Sequence, residues 1–162
     1  ISRASFYLYF EDKEDLLGCI AESWVDVILR KLTEAFRVSD GSYYESMKLW
    51  MSQALENDIS REVWKVYKRV MEEEDFTRKS KMGALQFKAS PKWRQVIEEC
   101  YGHMDQSRYP GLTPEKLAYA VDMGLLAMVQ LSMRYVEHYA PLAELKEAAW
   151  HQLTILDKGI RE

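Results

Sequence analysis

The run from Met123 to Met133, MGLLAMVQLSM, is apolar on nearly every side when wound as a helix. A helix that is apolar all round must be covered all round. With 162 residues the chain can build one sizeable core, which covers one side of this helix. A second copy of the chain is the expected cover for another. Thr113, Pro114 and Glu115 supply a cap, a first-turn proline and an acidic first turn, and the pattern continues to about Tyr139. Ala120, Gly124 and Ala127 are small enough to let another helix come close. Pro141 opens a last helix with Leu142, Leu145, Ala149, Leu153, Leu156 and Ile160 on one stripe, Ala148 and Trp150 beside it, and Gly159 at its end. Two antiparallel helices joined by a short turn can pair with their symmetry mates into a four-helix bundle. The residues expected at that interface are Met123, Gly124, Leu126, Ala127, Ala149, Leu153 and Leu156. An obligate homodimer of this kind buries roughly 2,000 Å² or more in total.

The rest of the chain is also helical in period. Leu16, Ile20, Trp24, Ile28, Leu32 and Phe36 recur every four residues from about Asp12 to Phe36. Asp40-Gly41 breaks that helix, and Ser42 with Glu45 forms a capping box for the next. Its inner face is Tyr43, Met47, Trp50, Met51, Ala54 and Leu55. Ser60 is a cap for a segment in which Val63, Trp64, Tyr67, Val70 and Met71 alternate with cationic residues. The charged stretch Glu72–Lys81 reads as a solvated helix end and loop. Ser90-Pro91 starts a helix whose inner residues are Trp93, Val96, Ile97, Cys100, Tyr101 and Met104. The expected fold is an all-α helical bundle. Only 7 Gly and 4 Pro, with 30% charged and 48% hydrophobic residues, argue against an all-β or disordered chain.

Net charge is −4, so the chain as a whole is not a nucleic-acid binder by charge. Cys19 and Cys100 fall inside helical patterns without metal or redox spacing and are expected to be buried thiols in a reducing, cytoplasmic setting. No long uncharged apolar run suggests a membrane span. No catalytic constellation is present. His103, His138 and His151 lack the carboxylate spacing of a di-iron site, and Glu99 with His103 makes only half a metal site. There is no phosphate loop, nucleophile elbow or HExxH. Neither a metal nor a cofactor is expected.

Ser2 to Leu17, SRASFYLYFEDKEDLL, reads as two helix starts joined by a tight turn. Phe6 and Phe10 share one face of a short helix, leaving Arg3, Ser5, Tyr7 and Tyr9 off it. Asp12 is a second N-cap, with Asp15 as its capping-box partner. The segment closely resembles the end of the helix-turn-helix in tetracycline-repressor-type (TetR) transcriptional regulators. Their pattern is carried here by Ser5, Phe6, Tyr7, Tyr9, Phe10, Lys13, Glu14 and Leu16. The resemblance implies that residues 1–11 end a DNA-binding domain and residues 12–162 form a helical effector-binding and dimerisation domain. It further implies two helices upstream of Ile1, so that the chain is a fragment or the resolved part of a longer protein. In the implied mechanism a homodimer places its recognition helices in the major groove of operator DNA. Tyr7, Tyr9 and Lys13 would meet phosphates, and Ser2, Arg3, Ala4 and Ser5 would lie at the DNA, the last three approaching base edges.

The resemblance also implies a pocket for a small effector between the middle helices. Bulky aromatics and flexible Met on inner faces suit an adaptable apolar site, although each one singly is as well explained as core. The expected effector-binding residues are Trp50, Trp64, Tyr67, Trp93 and Tyr101, and the expected effector is hydrophobic or aromatic. The function read from the sequence is a transcriptional regulator, in the first instance a repressor, that releases DNA on binding that effector. A dimeric ligand-binding module without a DNA role is the first alternative, and a helical-bundle enzyme the second.

Overall fold

The structure, a computed structural model, describes residues 8–55, 90–136 and 141–162. For Lys13, Glu14, Leu17, Gly18, Ala21, Trp24, Tyr135 and Val136 it describes the backbone only. The described residues form five helices and no strand, an all-α bundle. They are α1 (Lys13–Val38), α2 (Tyr43–Leu55), α3 (Pro91–Gly102), α4 (Pro114–Val136) and α5 (Leu142–Arg161).

The helix starts fall where the capping residues put them. The Asp15 N–H donates to Asp12 Oδ1 at 2.7 Å, and Asp15 Oδ2 in turn accepts from the Glu11 N–H at 3.0 Å. Ser42 Oγ accepts from the Glu45 N–H at 3.3 Å, and Ser90 Oγ from the Trp93 N–H at 3.2 Å. Thr113 Oγ1 accepts from the Lys116 N–H at 3.3 Å. Each cap satisfies a donor that a first turn leaves without an intrahelical acceptor. The α1–α2 turn passes through positive φ at Asp40 and Gly41. A side chain at Gly41 would collide with the backbone and Cβ of Asp105, whose N–H donates to the Gly41 carbonyl at 3.1 Å. One expectation about helix ends fails. Gly159 does not end α5, which runs two residues further to Arg161. Its φ is not positive, so it serves as an ordinary helical residue rather than a left-handed cap.

Specific links set the relative levels of the helices. α1 and α2 form an antiparallel hairpin. The Phe36 and Tyr43 rings meet edge-on at 6.4 Å near the turn, and Trp50 Nε1 donates to the Ile28 carbonyl at 3.3 Å further up. α3 runs parallel to α1, tied by the Lys92–Asp26 ion pair and, lower down, by Thr33 at the Cys100 thiol. α2 and α4 are parallel. The Tyr43 hydroxyl donates to the Ala120 carbonyl at 2.7 Å, and one turn on Gly124 packs against Met47. α4 and α5 pack along each other in opposite directions, so that the α4 end of the preceding loop, at Gly111, meets the chain end at Glu162.

The core between them holds Leu29, Leu32, Phe36, Tyr43, Met47, Trp50, Met51, Ile97, Leu117, Val121, Met128 and Leu153. The described side chains of α1 differ along its length. Leu29, Leu32, Ala35 and Phe36 are buried, whereas Asp15, Cys19, Glu22, Ser23, Asp26 and Val27 are exposed. Leu16 and Ile20 on the apolar stripe are only partly covered. Cys19 is therefore not the buried thiol that its helical position suggested, while Cys100 is fully buried. Burial pushes the Cys100 thiol up to about 12, with the nearby Glu99 carboxylate acting in the same sense.

Candidate functional site

Three of the expected effector-binding residues, Trp50, Trp93 and Tyr101, lie within the described part. Trp50 is 2% exposed, and its indole N–H is committed to the Ile28 carbonyl, so it ties α2 to α1. Trp93 is buried on α3, at the level where Lys92 meets Asp26 and so near the level of Trp50. Tyr101 lies two turns below Trp93, roughly 12 Å along the helix axis. Its partly exposed ring carries a hydroxyl 3.2 Å from the Leu112 carbonyl and 3.3 Å from Gln106 Oε1, in the α3–α4 loop. Trp64 and Tyr67 lie outside the described residues, as do Ser2, Arg3, Ala4, Ser5 and Tyr7 of the expected DNA contacts. Tyr9 is 78% exposed in the turn that precedes α1, and Lys13 begins that helix.

The expected interface residues separate into two groups. Met123 and Leu126 are about half exposed and share one face of α4 with the exposed Tyr119. Ile155 is the large exposed apolar residue of α5. Ala127 and Leu156 are partly buried. Ala149 and Leu153 have no exposed surface at all, because α5 turns that stripe into its own core. Gly124 is also turned inward. A Cβ there would strike Met47 Cε and come within 3.3 Å of the Tyr43 hydroxyl. Its smallness serves the α2–α4 contact inside the chain. The α4 segment that reads as apolar on all sides is thus covered on the side of Met128, Leu131 and Ser132 and open on the side of Met123 and Leu126.

A buried polar network joins three parts of the chain at the base of the bundle. The Tyr109 hydroxyl donates to Asp157 Oδ1 at 2.5 Å and accepts from the Tyr43 N–H at 3.0 Å. Arg161 holds the other Asp157 oxygen at 2.7 Å and lies over the Tyr109 ring. Burial raises the pKa of both tyrosines, and Asp157 adds to it, through its charge at Tyr43 and first through its hydrogen bond at Tyr109. The Asp157–Arg161 spacing of one helical turn is legible in sequence. Tyr109, 48 residues away, is not, and nothing in its local pattern marks it. Ser132 also escaped sequence reading. Its Oγ is fully buried and has no hydrogen-bond partner among the described residues.

The described surface carries open hollows. One, of about 590 Å³, is lined by Cys19, Glu22, Ser23, Asp26, Val27, Arg30 and Lys92. Another lies over the polar network at Ser42, Arg108, Asp157 and Arg161. Both are bordered by charged groups, and neither touches Trp50, Trp93 or Tyr101. Among the described residues no group of three His, Cys, Asp or Glu side chains is placed to hold a metal, and no helix is long and apolar enough to cross a membrane. Comparison of the chain with family models, with curated proteins and with solved structures finds no match in any of the three.

Proposed function

We propose that this chain is the ligand-binding and dimerising body of a TetR-type transcriptional regulator, in the first instance a cytoplasmic repressor, with residues 1–11 ending its helix-turn-helix. The observation that carries the reading is the run Ser5 to Leu16, whose aromatic, hydroxyl and Lys-Glu positions match the family pattern and lead into the capped start of α1. In this reading Tyr7, Tyr9 and Lys13 bind phosphates, while Arg3, Ala4 and Ser5 face base edges. The first half of α1 carries the head, and its buried second half is clamped by α2. A small hydrophobic or aromatic effector favours the arrangement of α1 in which the two heads of a dimer no longer match the operator spacing. The dimer forms through α4 and α5, a choice supported by the exposed Tyr119, Met123, Leu126 and Ile155.

Selection from random duplex DNA tests the reading, using the parent protein with the upstream helices that the resemblance implies. It should enrich a pseudo-palindrome bound with steep salt dependence. A folded parent that enriches no sequence overturns the regulator reading. The second reading, a ligand-binding dimer without a DNA role, is favoured by the net charge of −4. The same selection separates the two.

A further inference from the structure

We propose that Ser132 is the polar anchor of a small-molecule site between α2 and α4, one that takes a mainly apolar ligand bearing a single hydrogen-bonding group such as a hydroxyl. The proposal rests on the ligand-responsive reading above and names the chemistry of the ligand. Ser132 is 0% exposed and its hydroxyl has no partner among the described residues. A buried hydroxyl left unpaired is costly, and native chains avoid it unless something fills the vacant bond.

The surroundings follow from the register of the two helices. Tyr43 bonds to Ala120 and Met47 packs on Gly124, both across a sequence separation of 77. Carried two turns further, that register sets Met51 level with Met128 and Leu55 level with Ser132. Leu55, Met51, Met128 and Leu131 are all buried. Among these described neighbours the hydroxyl is the one polar side-chain group, two turns beyond the contact of Gly124 with Met47. A buried water needs two to four polar partners, and beside the Ser132 hydroxyl the side chains of Leu55, Met51, Met128 and Leu131 offer no strong one. A ligand whose body is apolar and whose polar group is single needs only that hydroxyl. Two methionines beside it can repack around ligands of different outline.

Melting of the chain with two matched probes, para-cresol and para-xylene, tests the proposal. The probes share an apolar ring and differ in a hydroxyl against a methyl. The wild-type chain should be stabilised by para-cresol more than by para-xylene, with a binding preference of roughly tenfold. Ser132→Ala should abolish that preference, and Ser132→Thr, which keeps the hydroxyl, should restore it. Without probes, Ser132→Ala should melt no lower than the wild type, since it loses only an unpaired group. Equal stabilisation by both probes, a preference that survives in Ser132→Ala, or no shift with either probe overturns the proposal. So does a clear fall in the probe-free melting temperature of Ser132→Ala, which would mean the hydroxyl is already bonded. None of these results bears on the operator selection, which decides the regulator reading separately.

Discussion

Single side chains at the base of the bundle carry more of its organisation than their sequence context suggests. Tyr109 accepts a backbone proton from the first turn of α2 and donates to a buried carboxylate on α5. Tyr109→Phe leaves the Tyr43 N–H without that acceptor and Asp157 with Arg161 alone. It should cost about 2–4 kcal/mol in a urea melt, because both groups stay buried. Gly124→Ala forces a methyl onto Met47 and the Tyr43 hydroxyl. It should cost roughly 1–3 kcal/mol as overpacking, with no change in oligomeric state. Burial also makes this core sensitive to alkali. Cys100 is raised from an ordinary 9.0 and Tyr43 from 10.0, so both hold their protons more tightly folded than unfolded. Their contribution is complete below those unfolded values and falls as the pH rises through them toward the folded values. Stability should therefore decline above about pH 9, by up to about 1.4 kcal/mol per pH unit for each group. Denaturant melts between neutral pH and pH 10.5 check this slope, which Cys100→Ala should make shallower.

At the scale of the element, the described side chains of α1 are sealed in its second half and mostly exposed in its first. Its second half is sealed by Leu29, Leu32, Ala35 and Phe36, and the Trp50 indole bonds it at Ile28. The described contacts of its first half include the Asp12–Asp15 cap and the exposed Lys92–Asp26 pair, which as a surface contact contributes roughly 0–1 kcal/mol. Asp12→Ala should fray the first turns of α1, at a cost of about 1 kcal/mol. Hydrogen exchange should show faster exchange near Asp15 and Leu16 and unchanged protection at Leu32. If Leu32 loses protection as well, α1 opens as one unit and the division described here is wrong.

For the molecule as a whole, the question is which apolar residues are left for a partner. Leu126 is half exposed on α4, and Leu153 is sealed on α5. The two substitutions Leu126→Glu and Leu153→Glu should therefore fail in different ways. The first should leave a folded chain with unchanged helical circular dichroism and, if the α4–α5 face joins two copies, half the mass by light scattering. The second buries an unpaired carboxylate and should unfold or aggregate the chain. A wild type that is monomeric at micromolar concentration removes the dimer from the proposed function.

Much of this architecture was determined by sequence alone. The capping residues Asp12, Ser42, Ser90 and Thr113 are local signals, each acting within one turn, and each starts its helix as read. The period of the apolar positions sets the all-α class, because a stripe every three or four residues can be buried only by packing helix on helix. Tertiary structure alone decided which neighbour each stripe meets. A run such as Met123 to Met133 states that several sides are apolar, but not which side is spent inside the chain. Gly124 and Leu153 proved to be spent inside, Met123 and Leu126 outside. The same holds for the tryptophans. Sequence places Trp50 on an inner face, and only the approach of the Ile28 carbonyl makes its N–H a tie between helices rather than a group free for a ligand. Contacts such as Tyr109 with Asp157 depend on how far apart whole helices lie, a distance that no local pattern encodes.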